Sequence, residues 1–231
     1  MGIRNNLSEK PIWYREATSE LAHLILLIVA ACMIATLSQG AALSAVSSNT
    51  RLIGHPRDRF PLILFVQFPA SAALDASMRS AVEQWNGVFK KTFGLPAFVL
   101  TSKRNRADVL ILLDRHEGSS REMGETQIDA DKRGVIRLPV KIMIAPPKAY
   151  GGSGTAQMMF DVTAHELGHA LGLPHINEPG SIMCCDPGSL NFANPSTRAA
   201  YVAARRSGDL SSMIPELRAH YQRFWREHPE P

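Results

Sequence analysis

Cysteine is scarce in this chain: three residues in 231, at Cys32, Cys184 and Cys185. Cys32 lies in an apolar run, and sequence neighbours such as Cys184 and Cys185 rarely bridge each other without strain. No disulfide framework is therefore expected to staple the fold. There is no Lys/Arg block interleaved with aromatics, and the net charge is only +4, so a nucleic-acid partner is not indicated. Internal repeats and low-complexity tracts are absent too, which excludes a solenoid or a biased, unstructured chain. What is present is a globular composition, 45% hydrophobic. The length suits one domain of ordinary size with its own core and is too short for two large ones.

The first informative stretch runs from Leu21 to Leu37, LAHLILLIVAACMIATL, without a single Asp, Glu, Lys or Arg. A secretory signal has an apolar run of about 7–15 residues and a spanning helix needs about 20. This run falls between the two. Arg4, Lys10 and Arg15 precede it and favour an inside N-terminus, a bias weakened by Arg51 and Arg57 on the far side. Small residues at Gly40, Ala42 and Ser44 offer cleavage positions. A signal anchor and a cleaved signal peptide both remain open, and either exports the rest of the chain. The expected organisation is a leader or cytoplasmic segment at 1–20, the signal segment at 21–45, a linker at 46–61 and a domain at 62–231. Gly54, Pro56 and Pro61 punctuate the linker.

Within the domain, periodicity predicts a strand at 62–68, closed by Pro69, and a helix at 74–93. That helix would bury Met78, Ala81, Val82, Trp85, Val88 and Phe89 and stop at Gly94. Further strands are predicted at 97–101, at 107–113 and at 135–145. The run at 107–113 is apolar on both faces, as an inner parallel strand is, and Pro139 argues for an irregularity partway along the last one. A second helix covers about 155–171, and an amphipathic one covers 210–226 through Ile214, Leu217, Tyr221 and Phe224. The alternation describes an α/β domain of three layers with a mixed, mostly parallel sheet.

The chemistry is concentrated in residues 165–175, HELGHALGLPH. His165 and His169 are four apart and share one helical face. Gly172 can adopt the left-handed conformation that ends a helix and turns the chain back, so His175 can reach the same point from outside. The pattern HExxHxxGxxH is a three-imidazole zinc site with the carboxylate of Glu166 beside it. Its five fixed positions arise by chance in roughly one chain of this length in 10⁴ to 10⁵.

Together with Met183, eight residues after His175 and preceded by Ser181-Ile182, this stretch resembles the metzincin metalloproteases, and among them the matrixin-like group. Weaker similarity runs through Trp85-Asn86, Ala107-Asp108-Val109 and residues 210–221. The resemblance implies an α/β metzincin-like catalytic domain with an active-site helix, a Met-turn at Met183 and a C-terminal helix. It implies one catalytic Zn²⁺ on His165, His169 and His175. The family's second, structural zinc would need histidines in the loops before the active-site helix, a region that offers only His116. It also suggests Met123, Gly124, Glu125 and Thr126 as the sheet edge that pairs with substrate, an ordinary surface loop being the alternative. No inhibitory prodomain cysteine is present, and Cys184-Cys185-Asp186-Pro187 replaces the family's usual Tyr-Pro after the Met-turn.

The expected function is a zinc-dependent metalloendopeptidase in which Glu166, as general base, takes the proton of a zinc-activated water attacking a peptide carbonyl. Two other readings stay open. One is a membrane-tethered zinc-binding module without turnover; the other is a zinc hydrolase of a non-protein amide or cell-wall peptide. The expected partners are a protein or peptide substrate, with the membrane added through residues 21–37 if these are uncleaved. The expected location is extracytoplasmic, either as a single-pass anchored protein with its catalytic domain outside or as a secreted or periplasmic one. Thiolates bind zinc well, so a Cys184 or Cys185 thiol could act on the metal, buried inert cysteines or redox partners being the alternative.

Overall fold

A computed structural model describes residues 51–113, 123–146 and 153–229. The leader, the apolar run at 21–37 and its candidate cleavage positions lie outside these residues. So do His116, the polar stretch 114–122 and the loop 147–152. Among the described residues no helix is long and apolar enough to cross a membrane.

Five strands form one sheet in the order β2-β1-β3-β5-β4. They are β1 (Leu62–Val66), β2 (Phe98–Thr101), β3 (Val109–Leu113), β4 (Gly124–Gln127) and β5 (Val140–Ile144). The first three and β5 run parallel, with Leu64 opposite Val109 and Ile111 opposite Ile142. At the end of the sheet β4 is antiparallel to β5, so the sheet is mixed and mostly parallel as expected. On β1 the buried residues alternate, Leu62, Leu64 and Val66, because successive side chains along a strand point to opposite faces. By contrast β3 starts with three consecutive buried residues, Val109 to Ile111, the mark of a strand covered on both sides. The predicted 135–145 strand is shorter than the apolar pattern. Pro139 has no N–H to give to a ladder, and β5 begins only after it. Upstream, Val135 and Ile136 make isolated bridges to Gly54 and Ala130 instead.

Helix α1 (Ala72–Phe93) buries the six residues named from its periodicity and ends at Gly94, whose φ of 83° lets its N–H close on Lys90 O. It packs on α2 (Ser153–Ala170), and Trp85 Nε1 donates to Ala164 O across the contact at 2.8 Å. Asn86, next along, clamps the start of β2 through two bonds to Phe98. The C-terminal helix α4 is Ile214–Glu227, preceded by a tight turn at Ser211–Met213. Leu217, Tyr221 and Phe224 are its buried stripe, while Arg218, Arg223 and Arg226 stand exposed on the other face. Helix α3 (Pro195–Ser207) was not foreseen. Its signal is short: Asn194 caps it by accepting from Ser196 N, Pro195 takes the first turn, and Gly208 ends it in the left-handed conformation.

One boundary needs correction. Residues 51–61, expected as part of a linker, belong to the folded domain. Gly54 donates to Gly134 O and accepts from Ile136 N. His55 is fully buried, and Phe60 joins a ring cluster with Phe89 and Tyr221. Glycine and proline density resembles a linker, but here glycine serves close packing. A Cβ on Gly54 would stand 3.1 Å from the Phe224 ring.

This segment also carries a pH dependence. Burial lowers His55 from 6.5 to about 4, against the opposing bond from its Nε2 to Ala170 O. His220, which bonds Ile53 O, is lowered by burial to about 4 as well. Between these values the unfolded chain takes up protons that the folded chain refuses. Their stabilisation is therefore complete above about pH 6.5 and declines as the pH falls towards 4, by up to about 1.4 kcal/mol per pH unit for each group. Urea unfolding at pH 7 and pH 5 should show the loss. His55→Gln, which keeps a donor for Ala170 O, should flatten the slope, and an unchanged slope would contradict the assignment.

Candidate metal centre

Helix α2 carries His165 and His169 one turn apart, and both side chains line the same cleft. It ends where the motif requires. Gly172 N–H donates to His169 O and Leu173 N–H to Gly168 O. Gly172 has φ 87°, and a Cβ there would stand 2.5 Å from Ile53 O, so both conformation and space call for glycine. The chain then reverses and presents His175 to the pair on the helix.

The three Nε2 atoms lie 3.0–3.1 Å from one another. Each ring is fixed by its other nitrogen. His165 Nδ1 donates to Ile182 O at 2.8 Å and His169 Nδ1 to Leu173 O at 2.8 Å. His175 Nδ1 donates to the Asp186 carboxylate at 3.1 Å. Carbonyls only accept, and an ionised carboxylate only accepts, so Nδ1 holds the proton in all three rings. The three Nε2 lone pairs therefore converge with no hydrogen between them. Three lone pairs so placed repel unless a cation sits among them. Tetrahedral zinc with Zn–N near 2.0–2.1 Å would need nitrogens about 3.3–3.4 Å apart, a small expansion of what is present. Burial also lowers His165 to about 4 and lowers His169, which keeps both rings neutral, the form that coordinates a metal. The residues fit the ion.

Glu166 is 5% exposed and rests beneath the sheet edge. Its Oε2 accepts from the Thr126 hydroxyl at 2.6 Å, and the same hydroxyl lies 3.1 Å from Glu166 O. Glycine at 124 leaves the room: a Cβ there would fall 2.5 Å from Glu166 Oε1 and 2.8 Å from Val162. Met123, Gly124, Glu125 and Thr126 thus stand together along one side of a cleft of about 510 Å³ that has the three histidines in its floor. Gly124, Glu125 and Thr126 belong to β4 at the end of the sheet, and Met123 immediately precedes it. Met183 is fully buried, and its sulfur packs so closely on the backbone of Gly168 that no side chain fits between them. The turn carrying it also supplies Ile182 O to His165.

Cys184 and Cys185, the neighbours from which no disulfide framework was expected, are paired with each other. A bond between neighbours closes no loop of any length, so it still provides no framework.

Several partners were not legible in the sequence. Asp186, eleven residues after the histidine it orients, has only its charge to mark it. Thr126 has no mark at all. Asp161 is signalled weakly, by standing one turn before His165 on the same helix. Arg205 comes from α3: it stacks on Tyr201 at 3.7 Å and donates to Ser181 O and Cys184 O. Burial raises Asp161 to about 6, opposed by the Gln157 side chain and the Arg205 charge.

A mostly parallel sheet under the helix that carries two of three convergent imidazoles, with a carboxylate beside them, is an arrangement suited to a metallopeptidase-type domain. The family model described as matrixin matches residues 68–187, more than half of the chain. The chain belongs to the matrixin family of peptidases. Among curated proteins no match to the chain is found.

Proposed function

We propose that this protein is a zinc-dependent endopeptidase, with His165, His169 and His175 holding the metal and Glu166 acting as general base. The observation that carries the reading is the placement of the Glu166 carboxylate between the imidazole cluster and the edge strand. When bound, zinc supplies the Lewis acidity that brings the pKa of a water from 15.7 to about 7 and polarises a carbonyl. The chain's own residues do the rest. Glu166 takes the proton of the attacking water and returns it to the leaving amine. Thr126 donates to Glu166 Oε2 and so leaves the carboxylate one orientation in which to work. An extended peptide adds to the outer side of β4 by backbone hydrogen bonds, which aligns its carbonyl over the histidines without reading its sequence. His175 is held on the other wall by Asp186.

A digest of a peptide library by the zinc-loaded protein tests this. Internal cleavages that disappear on chelation and return with zinc are expected. Stoichiometric zinc with no internal cleavage of any peptide would instead favour a binding module.

A further inference from the structure

The cleft does not end at the histidines. A second cavity of about 770 Å³ shares Met123, Asp161, Val162, Tyr201 and Arg205 with the first, so the groove continues past this wall between α2 and α3. The wall holds one carboxylate and one guanidinium; the Arg205 charge acts on Asp161, but among the described residues no ion pair within 4.0 Å joins them. The guanidinium is turned onto the carbonyls of Ser181 and Cys184 and flattened on Tyr201. Gln157 Nε2 fixes the arrangement by reaching both Asp161 Oδ1 at 3.1 Å and Arg205 O at 2.5 Å.

We propose that Asp161, Tyr201 and Arg205 form a subsite that selects a carboxamide side chain, glutamine or asparagine, beside the scissile bond. The inference rests on the peptidase reading above and adds to it the class of side chain accepted.

The argument is one of complementarity. An amide is the common neutral side chain that donates and accepts from adjacent atoms. Its NH₂ would face Asp161, and its carbonyl would face the N–H groups of Arg205 that Ser181 and Cys184 do not use. Its methylenes would lie along Val162 and the Tyr201 ring. An apolar side chain would cover the carboxylate and the guanidinium while giving neither a partner, which is costly in a half-buried wall. An acidic side chain could accept from Arg205 but would set a second carboxylate against Asp161, and a basic one could donate to Asp161 but would crowd the Arg205 charge; only the amide serves both groups without a like-charge contact. Sites built to hydrogen-bond a group reject analogues lacking it far better than apolar pockets reject a missing methylene.

The test uses binding as well as turnover. Zinc-loaded Glu166→Ala protein, full chain, is titrated with fluorescent hexapeptides of alanine and glycine. Gln, Leu, Glu or Lys is placed in turn at each position. At one position Gln should bind at least tenfold tighter than the other three. Asp161→Leu should invert the order of Gln and Leu there, and Asp161→Asn, which keeps the shape, should reduce the preference for Gln without creating one for Leu. Equal binding of the four peptides at every position, or tighter binding of Leu, would overturn the subsite. Undiminished cleavage by the Glu166→Ala protein would instead refute the role of Glu166, and the binding order would still judge the subsite.

Discussion

Glu166→Ala should retain one zinc per chain and lose peptide cleavage by about 10²- to 10⁴-fold, the range that a positioned general base supplies. The two readouts separate because the carboxylate is not among the three groups whose ring nitrogens converge. Its fixed orientation comes from outside the helix, through the Thr126 hydroxyl at 2.6 Å. Thr126→Val, of the same shape, should therefore lower kcat while leaving KM nearly unchanged, and Thr126→Ser should restore much of the loss. A purely structural threonine would give neither the split nor the rescue. Metal analysis of the purified protein beside initial rates on a quenched peptide checks both variants. Loss of zinc from Glu166→Ala, or a rate within threefold of the parent, would remove Glu166 from the role of base.

His175→Ala should act on the metal itself. Only two imidazoles would remain, on one face of α2, and the third corner of the triangle of nitrogens would be open to water. Zinc affinity should fall by well over 100-fold, more than loss of an outer partner causes. Asp186→Asn supplies the comparison. It keeps a side-chain oxygen near His175 Nδ1 but removes the charge that fixes that ring, and such outer partners are worth about 10- to 100-fold in metal affinity. Competition against a chromophoric chelator orders the three proteins. Equal affinities for the parent and His175→Ala would exclude His175 as a ligand. Metal binding to the folded form alone also stabilises it, so chelation should lower the melting temperature of the parent and leave that of His175→Ala almost unmoved.

Much of the architecture was legible because it depends on near neighbours in the chain. The stripe from Met78 to Phe89 needs only the 3.6-residue repeat, and the core strands need only short apolar runs. Misreadings fall where local pattern and tertiary contact disagree. Residues 51–61 lack a run of apolar side chains, so nothing local reveals that Gly54 and His55 are enclosed by α4 and the 134–136 segment. The apolar stretch from 135 continues through Pro139, yet the ladder starts after it. Helix α3 has no buried stripe, so periodicity passes over it, although its cap was written in Asn194-Pro195.

The eleven residues from His165 to His175 by themselves determined that three imidazoles meet, because a helical turn and a glycine reversal are local events. They determined the carboxylate beside them for the same reason. Only the tertiary structure decided what surrounds that centre. Thr126 reaches Glu166 across 40 positions in the chain, and Arg205 reaches the carbonyls of Ser181 and Cys184 from a separate helix. Asp186 closes on His175 from the loop after Met183. These contacts join segments whose separation in sequence carries no period and no motif. Their positions follow from how the sheet and helices pack, and they set which way the Glu166 carboxylate points and what lines the cleft.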